Sequence, residues 1–335
     1  MKKFLAVLLA ALMLFTLAAC GGNNATDGNA SDGNASAGNA SALKAVTMGT
    51  GGPQGTYYAY GGVLGTQIKN STGVNVTVVS TDGSKDNILR IKSGNIQLGT
   101  VQSDVLAYAY LGTNIFAEEG KVDTFRVIAG LYAEAVQLIT MDPEIKSVAD
   151  LAGKRVSIGA PNSGVYFNAV DILGAAGLTE ADIQPQYLSF DASVDSLTDG
   201  KIDAAFIVAG APTPAVEQLT AVADAYLVPI DGDIADKLMA NSSYYTVYEI
   251  PAGTYKGQEE AVKTVTVKAT LIVSADLAEE DVYNITKAIF DNADTIPHAK
   301  AAELSLENAT SGMAAPFHTG AAKYFAEKGI TVESK

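Results

Sequence analysis

Short apolar runs alternate along the chain with polar, glycine-rich turns that open helix-like segments. Six such pairs of run and turn are KAVTM with GTGGPQGTYY, VNVTVVS with TDGSKDNIL, IQLGTV with QSDVLAYAY, RVSIG with APNSGVYFNAV, YLSF with DASVDSL, and DAAFIVAG with APTPAVEQL. Strands that alternate with helices in this way predict an α/β fold with parallel pairing. Ser84, Ser103, Ser193 and Thr213 stand where helix N-caps are expected, and Pro214 suits a first helical position.

The predicted elements fall into two groups that echo each other in sequence. SGNIQLGTVQSD resembles DGKIDAAFIVAG, and QGTYY resembles SGVYF, as two lobes of one architecture would require. The long apolar stretches Phe125–Met141 and Thr264–Ser274 are predicted to pass from one lobe to the other and back. We therefore expect a hinge and a central cleft, with lobe one at residues 44–134 plus 271–335 and lobe two at residues 135–270.

The first 19 residues are typical of an export signal. Lys2 and Lys3 precede an apolar stretch, Phe4–Ala19, that is too short to span a membrane comfortably. It ends in LAAC, which resembles the lipobox of bacterial lipoproteins, in which the cysteine is lipidated. An ordinary signal peptide is the alternative, but Cys20 is the only cysteine and has no disulfide partner within the chain. We expect an extracytoplasmic protein that is anchored to the membrane by lipid on Cys20.

Residues 20–43 are predicted to be a flexible tether. Gly21–Ala42 is a low-complexity segment that contains DGNAS, DGNAS and AGNAS. Small and polar residues of this kind cannot bury enough apolar surface to offset the entropy lost on ordering. The folded part is therefore expected to begin near Lys44.

Composition and charge exclude several classes of function. Hydrophobic residues make up 48% of the 335 positions, which is ample for a large core. The net charge of −15 argues against a nucleic-acid partner, because phosphate binding needs a basic surface. His298 and His318 are the only histidines, and without a cysteine cluster they predict no metal site. We expect the protein to act as a monomer on small molecules.

A dinucleotide site is the nearest alternative among cofactor motifs. Gly49, Gly51 and Gly55 lie between a predicted strand and a predicted helix, and Asp82 follows the next strand. Pro53 removes a backbone donor where a pyrophosphate would need one, so the match is weak. We expect no cofactor.

Polar groups at the ends of the predicted strands point to a small-molecule site. Ligands of open α/β sheets bind outside the carboxyl ends of the strands, where all of these turns lie. Hydroxyls, amides and the N–H groups of helix starts suit the carboxylate of a small metabolite. The residues expected to converge on one cleft are Thr56, Tyr57, Gln102, Ser103, Asn162, Ser163 and Gly210. Each serine or threonine taken alone could equally cap its own helix.

Several motifs resemble the solute receptors of TAXI-type TRAP transporters. They are GTGGPQGTYYAYGG, TVQSDVLAYA, IKSVADLAGKRVSIGAPNSG, IPAGTYKG, YNITKAIF and PFHTGAAKYF, and they occur in order from about Val46 to the end. The resemblance implies a type II periplasmic-binding-protein fold and a separate membrane permease that an ion gradient drives. It also implies small ligands such as glutamate, glutamine and other organic anions.

The resemblance further implies which residues bind the ligand. By position they are Gly52, Gln54, Gly55, Thr56, Tyr57, Gln102, Ser103 and Asp104 in lobe one, and Asn162, Ser163 and Gly164 in lobe two. Where the family often has Gly-Ser-Gly-Thr-Glu, this chain has Asn-Ser-Gly-Val-Tyr, which puts Tyr166 near the expected ligand side chain. Where the family often has Leu-Tyr-Pro-Glu, this chain has Leu-Tyr-Ala-Glu, ending at Glu134.

The sequence thus predicts a receptor that captures a small carboxylate by closing two lobes. A rival prediction is an exported enzyme, such as a transferase, on a similar two-lobed fold. No residue spacing specifies catalytic chemistry, so we expect a binding protein and no enzyme. Arg90, Arg126 and Arg155 are predicted to lie away from the ligand turns, which would leave N–H groups, hydroxyls and amides to hold the carboxylate.

Overall fold

The computed structural model describes residues 43–335, in which strands and helices alternate. The predicted signal peptide, Cys20 and nearly all of the predicted tether lie outside the described residues. The strands are β1 (Ala45–Gly49), β2 (Asn75–Val79), β3 (Leu98–Gln102), β4 (Phe125–Thr140), β5 (Arg155–Ser157), β6 (Gln184–Gln186), β7 (Ala204–Ala209), β8 (Tyr226–Val228), β9 (Thr246–Ile250) and β10 (Val262–Ser274). The α-helices are α1 (Thr56–Thr72), α2 (Ser84–Lys92), α3 (Ser103–Leu111), α4 (Gly164–Ala175), α5 (Phe190–Thr198), α6 (Pro214–Val222), α7 (Gly232–Asn241), α8 (Glu279–Phe290), α9 (Leu306–Thr310) and α10 (Thr319–Glu327).

Within the described residues the strands form one continuous sheet in the order β2-β1-β3-β10-β4-β7-β5-β6. β8 pairs with β4 and β9 pairs with β10 beside this path. Pairing is parallel around β1 and around β5, at the two ends of the sheet, and antiparallel wherever β4 or β10 takes part. Two parallel α/β groups are therefore joined through the two longest strands.

The hydrophobic cores separate on either side of these strands. One core is built from β1–β3, α1–α3, α8 and α10, and we call this part lobe one. Two further clusters are built from β5, β7 and β8 with α4–α7, and we call this part lobe two. The α/β class and the two-lobed architecture predicted from the sequence are confirmed.

β4 and β10 contribute to the cores of both lobes. Up to Tyr132 and from Ala269 onward their buried side chains pack in lobe one, and from Ala135 and up to Val267 they pack in lobe two. The register of the β10–β4 pair shifts between Lys268 and Thr270, at the point where the strands leave one lobe for the other. Because such irregularities bend a strand, the two connecting strands change direction at the boundary between the lobes.

Local predictions are corrected at three places. YLSF is not a strand: β6 ends before it, and Phe190 already begins α5. Ser84 and Ser103 are first helical residues and not N-caps, and Ser193 lies inside α5. Thr213 is the N-cap of α6 with proline at the next position, as predicted. Ser84 and Ser103 miss the N-cap by one residue, which is the ordinary uncertainty of a helix boundary, whereas Ser193 misses it by four because the segment predicted as a strand already begins α5.

Candidate functional site

A cleft of about 360 Å³ lies between the two lobes at the carboxyl ends of the parallel strands. Lobe one provides the turns after β1 and β2, and lobe two provides the turns after β5 and before α5. The lining residues are Gly51, Gly52, Pro53, Tyr57, Ser80, Thr81, Asp82, Gly83, Ser84, Arg90, Gln102, Glu134, Ala160, Ser163, Gly164, Val165, Ser189, Phe190, Asp191 and Val208. This volume accommodates a small metabolite and excludes a folded partner.

Five α-helices begin at this cleft. Each of α1 to α5 contributes a lining residue from its N-cap or first turn, namely Tyr57, Ser84, Gln102, Gly164 and Phe190. The first N–H groups of a helix have no partner within it, and the helix dipole adds partial positive charge there. No side chain caps α1, α2, α3 or α5. The carbonyl of Asn162 takes the N–H groups of Lys85 and Asp86 at the start of α2, so the backbone offers its anion-binding surface mainly at α1 in lobe one and α5 in lobe two.

The side chains around the cleft carry mostly negative charge. Asp82, Asp191 and Glu134 are acidic, and Arg90 is the only cationic residue among those that line the cleft. The guanidinium of Arg90 donates to Asp86 at 2.8 Å, which neutralises part of its charge. Arg90 was predicted to lie away from the ligand turns, and this prediction is wrong, because α2 runs along the cleft.

Glu134 is the buried acid of the site. Only 1% of it is exposed, and no cation lies within ion-pair distance of it among residues 43–335. Burial raises the pKa of Glu134 well above its ordinary value, while the hydroxyl of Tyr57, which donates to this carboxyl group, opposes the rise. Tyr57 comes from α1 and Glu134 from β4, so the pair ties the first helix to the connecting strand.

Of the residues predicted from the sequence, five line the cleft. They are Gly52, Tyr57, Gln102, Ser163 and Gly164. The hydroxyl of Ser163 caps its own helix: it accepts from the N–H of Tyr166 at 3.2 Å and donates to the carbonyl of Ala160 at 2.7 Å. The hydroxyl of Ser163 thus caps its own helix, as the alternative prediction allowed, whereas the hydroxyl of Tyr57 bonds Glu134 of β4.

Four predicted residues join the lobes instead of lining the cleft. The hydroxyl of Thr56 donates to the carbonyl of Gly210 at 2.9 Å. The carbonyl of Gln54 accepts from the N–H of Ala215 at the start of α6. The carbonyl of Asn162 accepts from the N–H groups of Lys85 and Asp86 at the start of α2. A carbonyl of the opposite lobe thus reaches each of these two helix starts, and the lobes stand closed on each other.

The remaining four predicted residues lie further from the cleft. Gly55 is buried beside the ring of Phe190. Ser103 accepts from the N–H of Lys268, on the side of the connecting strands. Asp104 is fully buried and accepts from Asn168.

Tyr166 points away from the cleft. Its hydroxyl donates to Glu180 at 2.9 Å, and its ring packs against Phe167. It therefore stands on the far side of α4 from the lining residues Gly164 and Val165.

The glycines of the site clear space in two different ways. A Cβ at Gly52 would meet nothing within 4 Å, so the backbone there borders open space. A Cβ at Gly164 would lie 1.5 Å from Oε1 of Gln102, so here the absent side chain makes room for the opposite lobe. Close approach of a backbone is the usual reason for glycine at such a point.

Sequence reasoning missed several lining residues that carried a signal. The turns TDGS and DASV follow predicted runs, and the strand-end rule applied to them would have included Asp82, Ser84 and Asp191. Glu134 is the only acid in the sixteen-residue strand β4, and a lone carboxylate in so apolar a strand indicates a functional position.

Two kinds of feature are absent from the described part of the chain. Residues 43–335 contain no group of three or more His, Cys, Asp or Glu side chains placed to hold a metal ion. No helix among them is both long and apolar enough to cross a bilayer.

Comparison with protein families identifies the chain by its sequence. The model of the NMT1-like family matches residues 48–329, which is most of the chain and all of the site described above. The chain belongs to the NMT1-like family. This match spans both lobes and both connecting strands of the family member described here.

A solved structure shares the fold of this NMT1-like protein. A protein from Bordetella bronchiseptica RB50 aligns with a TM-score of 0.53 at 17% identity, over 85% of this chain and 80% of its own. At this identity the likeness shows the fold alone. The alkanesulfonate-binding protein SsuA from Xanthomonas axonopodis pv. citri aligns with a TM-score of 0.48 at 16% identity, over 86% of this chain and 92% of its own. The methylphosphonate complex of PhnD1 from Prochlorococcus marinus aligns with a TM-score of 0.49 at 13% identity, over 78% of this chain and 88% of its own.

Proposed function

We propose that this protein is the extracytoplasmic solute receptor of a secondary transporter of the TRAP type, TAXI subclass. The observation that carries the proposal is the cleft between two lobes, lined by the starts of five helices. Such a cleft binds a small anion through backbone N–H groups and releases it when the lobes separate. A receptor needs both properties, because a ligand shifts the equilibrium only if it binds the closed form better.

The ligand is proposed to be a small carboxylate that also carries a hydrogen-bond donor, as glutamate and glutamine do. Helix starts suit the carboxylate. The acidic side chains Asp82, Glu134 and Asp191 suit a positively charged or donating group on the same molecule. A ligand with carboxylates alone would offer Glu134 no hydrogen-bond donor.

Binding without chemistry is the test that separates a receptor from an exported transferase. The full chain in detergent is incubated with L-glutamate, L-glutamine, 2-oxoglutarate or succinate, and thermal unfolding is followed while mass spectrometry monitors the ligand. A ligand at 100 times its dissociation constant should stabilise the fold by about 2.7 kcal/mol and remain unchanged. Turnover would establish the enzyme instead, and a panel without any stabilisation would contradict the carboxylate.

The membrane anchor and the permease are further parts of the proposal. The LAAC sequence supports lipidation of Cys20, so Cys20→Ser should abolish incorporation of a labelled lipid precursor while ligand binding persists. Incorporation into the variant would contradict the anchor. Uptake by vesicles that hold the permease should follow an ion gradient, and dependence on ATP would contradict the TRAP assignment.

A further inference from the structure

A buried polar cluster connects the two lobes beside the cleft. Asn168 of α4 stands at its centre with no exposed surface. Its amide donates to Asp104 at 2.9 Å and to the hydroxyl of Tyr245 at 2.7 Å. Its carbonyl oxygen accepts from Gln102 at 2.9 Å. Both hydrogens and the oxygen of one amide are thus used, two of the three bonds reaching into lobe one.

The hydrogen-bonding roles in this cluster are fixed by Asp104. An ionised carboxylate only accepts, so the amide nitrogen of Asn168 must face it. The oxygen of Asn168 then faces Gln102, which must present its own amide nitrogen in return. Gln102 lines the cleft, so a residue outside the cleft determines how a cleft side chain is oriented.

We propose that Asn168 is a positioning residue that latches the two lobes in the closed form and sets the orientation of Gln102. This inference rests on the proposed receptor function and concerns the closing step alone. With the lobes apart, Gln102, Asp104 and Asn168 are hydrated. With the lobes together they are buried, and each needs its partner, because a buried polar group without one is costly. The latch therefore acts on closure more than on the fold of either lobe.

The test compares a single substitution with an exchange of the pair. Asn168→Asp places two carboxylates against each other and removes the donor. In the double variant Asn168→Asp with Asp104→Asn, the amide at position 104 donates to the carboxylate at position 168, which also accepts from Gln102. The hydroxyl of Tyr245, which donates to Asp171 at 3.0 Å, loses the donor that Asn168 provides, but this bond lies within lobe two. The exchange therefore keeps the number of charges and restores the two bonds between the lobes. A matched control is Asn308→Asp, because the amide of Asn308 donates only to Leu131 and Glu303 within lobe one.

Closure is measured as the distance between dyes, one on each lobe. The full chain carries Cys20→Ser together with Asn70→Cys in α1 and Thr198→Cys in α5, both exposed positions. Single-molecule energy transfer at pH 7.5, with and without L-glutamate, gives the ratio of closed to open molecules. We expect Asn168→Asp to lower that ratio at least tenfold, the exchange to restore most of it, and Asn308→Asp to leave it within twofold.

Two results would overturn the latch. One is a closed fraction that Asn168→Asp leaves unchanged, and the other is a loss that the exchange fails to restore while circular dichroism shows both variants folded. Neither result depends on which ligand binds, since the comparison also runs without ligand. If the receptor function is wrong, none of the four ligands tested should bind, while the wild-type protein still closes.

Discussion

At the scale of single residues, the missing side chain of Gly164 decides whether the lobes can meet. A Cβ there would lie 1.5 Å from Oε1 of Gln102, so Gly164→Ala should displace this side chain from its bond to Asn168 in the opposite lobe and weaken ligand binding at least tenfold. Gly174→Ala on the same helix is the control, because its Cβ would meet nothing within 4 Å. Calorimetric titration measures the affinities. Equal affinity of Gly164→Ala and the wild type would contradict the closed geometry.

The hydroxyl of Tyr57 is the second residue-scale test. It donates to Glu134 in the cleft, so Tyr57→Phe leaves a buried carboxyl group without its donor. Burial raises the pKa of Glu134 and so disfavours its charged form, and a hydrogen bond between neutral groups is worth about 0.5–1.5 kcal/mol, which predicts a loss of affinity of roughly twofold to tenfold. Tyr58→Phe, at the exposed neighbouring position, should bind normally. Equal affinities of the two variants would show that the hydroxyl of Tyr57 does not contribute to ligand binding.

At the scale of elements, the start of α4 serves stability more than ligand binding. Both hydrogen-bonding roles of the Ser163 hydroxyl are taken, one by the N–H of Tyr166 and one by the carbonyl of Ala160. Ser163→Ala should therefore cost about 1 kcal/mol of unfolding free energy, as for other N-caps, and change affinity less than threefold. Denaturant unfolding and titration give the two numbers. A large loss of affinity at unchanged stability would show that the hydroxyl binds ligand directly.

At the scale of the whole molecule, buried carboxyl groups should make the closed fold less stable as the pH rises. Burial raises the pKa of Asp104 from 3.8 to about 6, and it also raises the pKa of Asp171 and of Glu134. The groups around Asp104 are these two acids and the phenols Tyr108, Tyr244 and Tyr245. A raised pKa means that the folded state binds the proton more tightly. The stabilisation from Asp104 is therefore full below about pH 4 and lost as the pH rises to about 6.

The size of this effect can be measured. The full shift of Asp104 corresponds to about 3 kcal/mol. The pKa of an acid that is held by a cation, such as Asp203 beside Arg155, is lowered. Its contribution to the stability of the fold is lost only when the pH falls below the ordinary pKa of an aspartate. Between pH 4.5 and 7.5 the free energy of unfolding should thus fall in the wild type and fall less in Asp104→Asn. The exposed variant Asp199→Asn serves as control, and parallel profiles for all three proteins would contradict the assignment to Asp104.

The alternation of apolar runs with glycine-rich turns was enough to predict β1, β2, β3, β5 and β7 with the helices that follow them, but it placed a strand at YLSF and missed β6. It also predicted the two long strands between the lobes, because the periodicity and length of apolar runs follow directly from which faces are buried. Strand-end turns located part of the site for a similar reason: in parallel α/β groups, the carboxyl ends of the strands share one edge.

Only the tertiary structure decided which of these turn residues face a ligand and which face the other lobe. Thr56 and Asp104 occupy the same strand-end turns as Tyr57 and Gln102, so the sequence does not distinguish them. In the structure Thr56 bonds Gly210 and Asp104 bonds Asn168, both in the other lobe. Such contacts join residues 64 and 154 positions apart, and no local pattern encodes the orientation of the two lobes that brings them together. The same orientation makes Glu134 and Arg90 lining residues, because it sets which faces of β4 and α2 border the cleft. The sequence by itself therefore determined the elements and the edge where ligands bind, whereas the packing of the lobes decided the role of each side chain there.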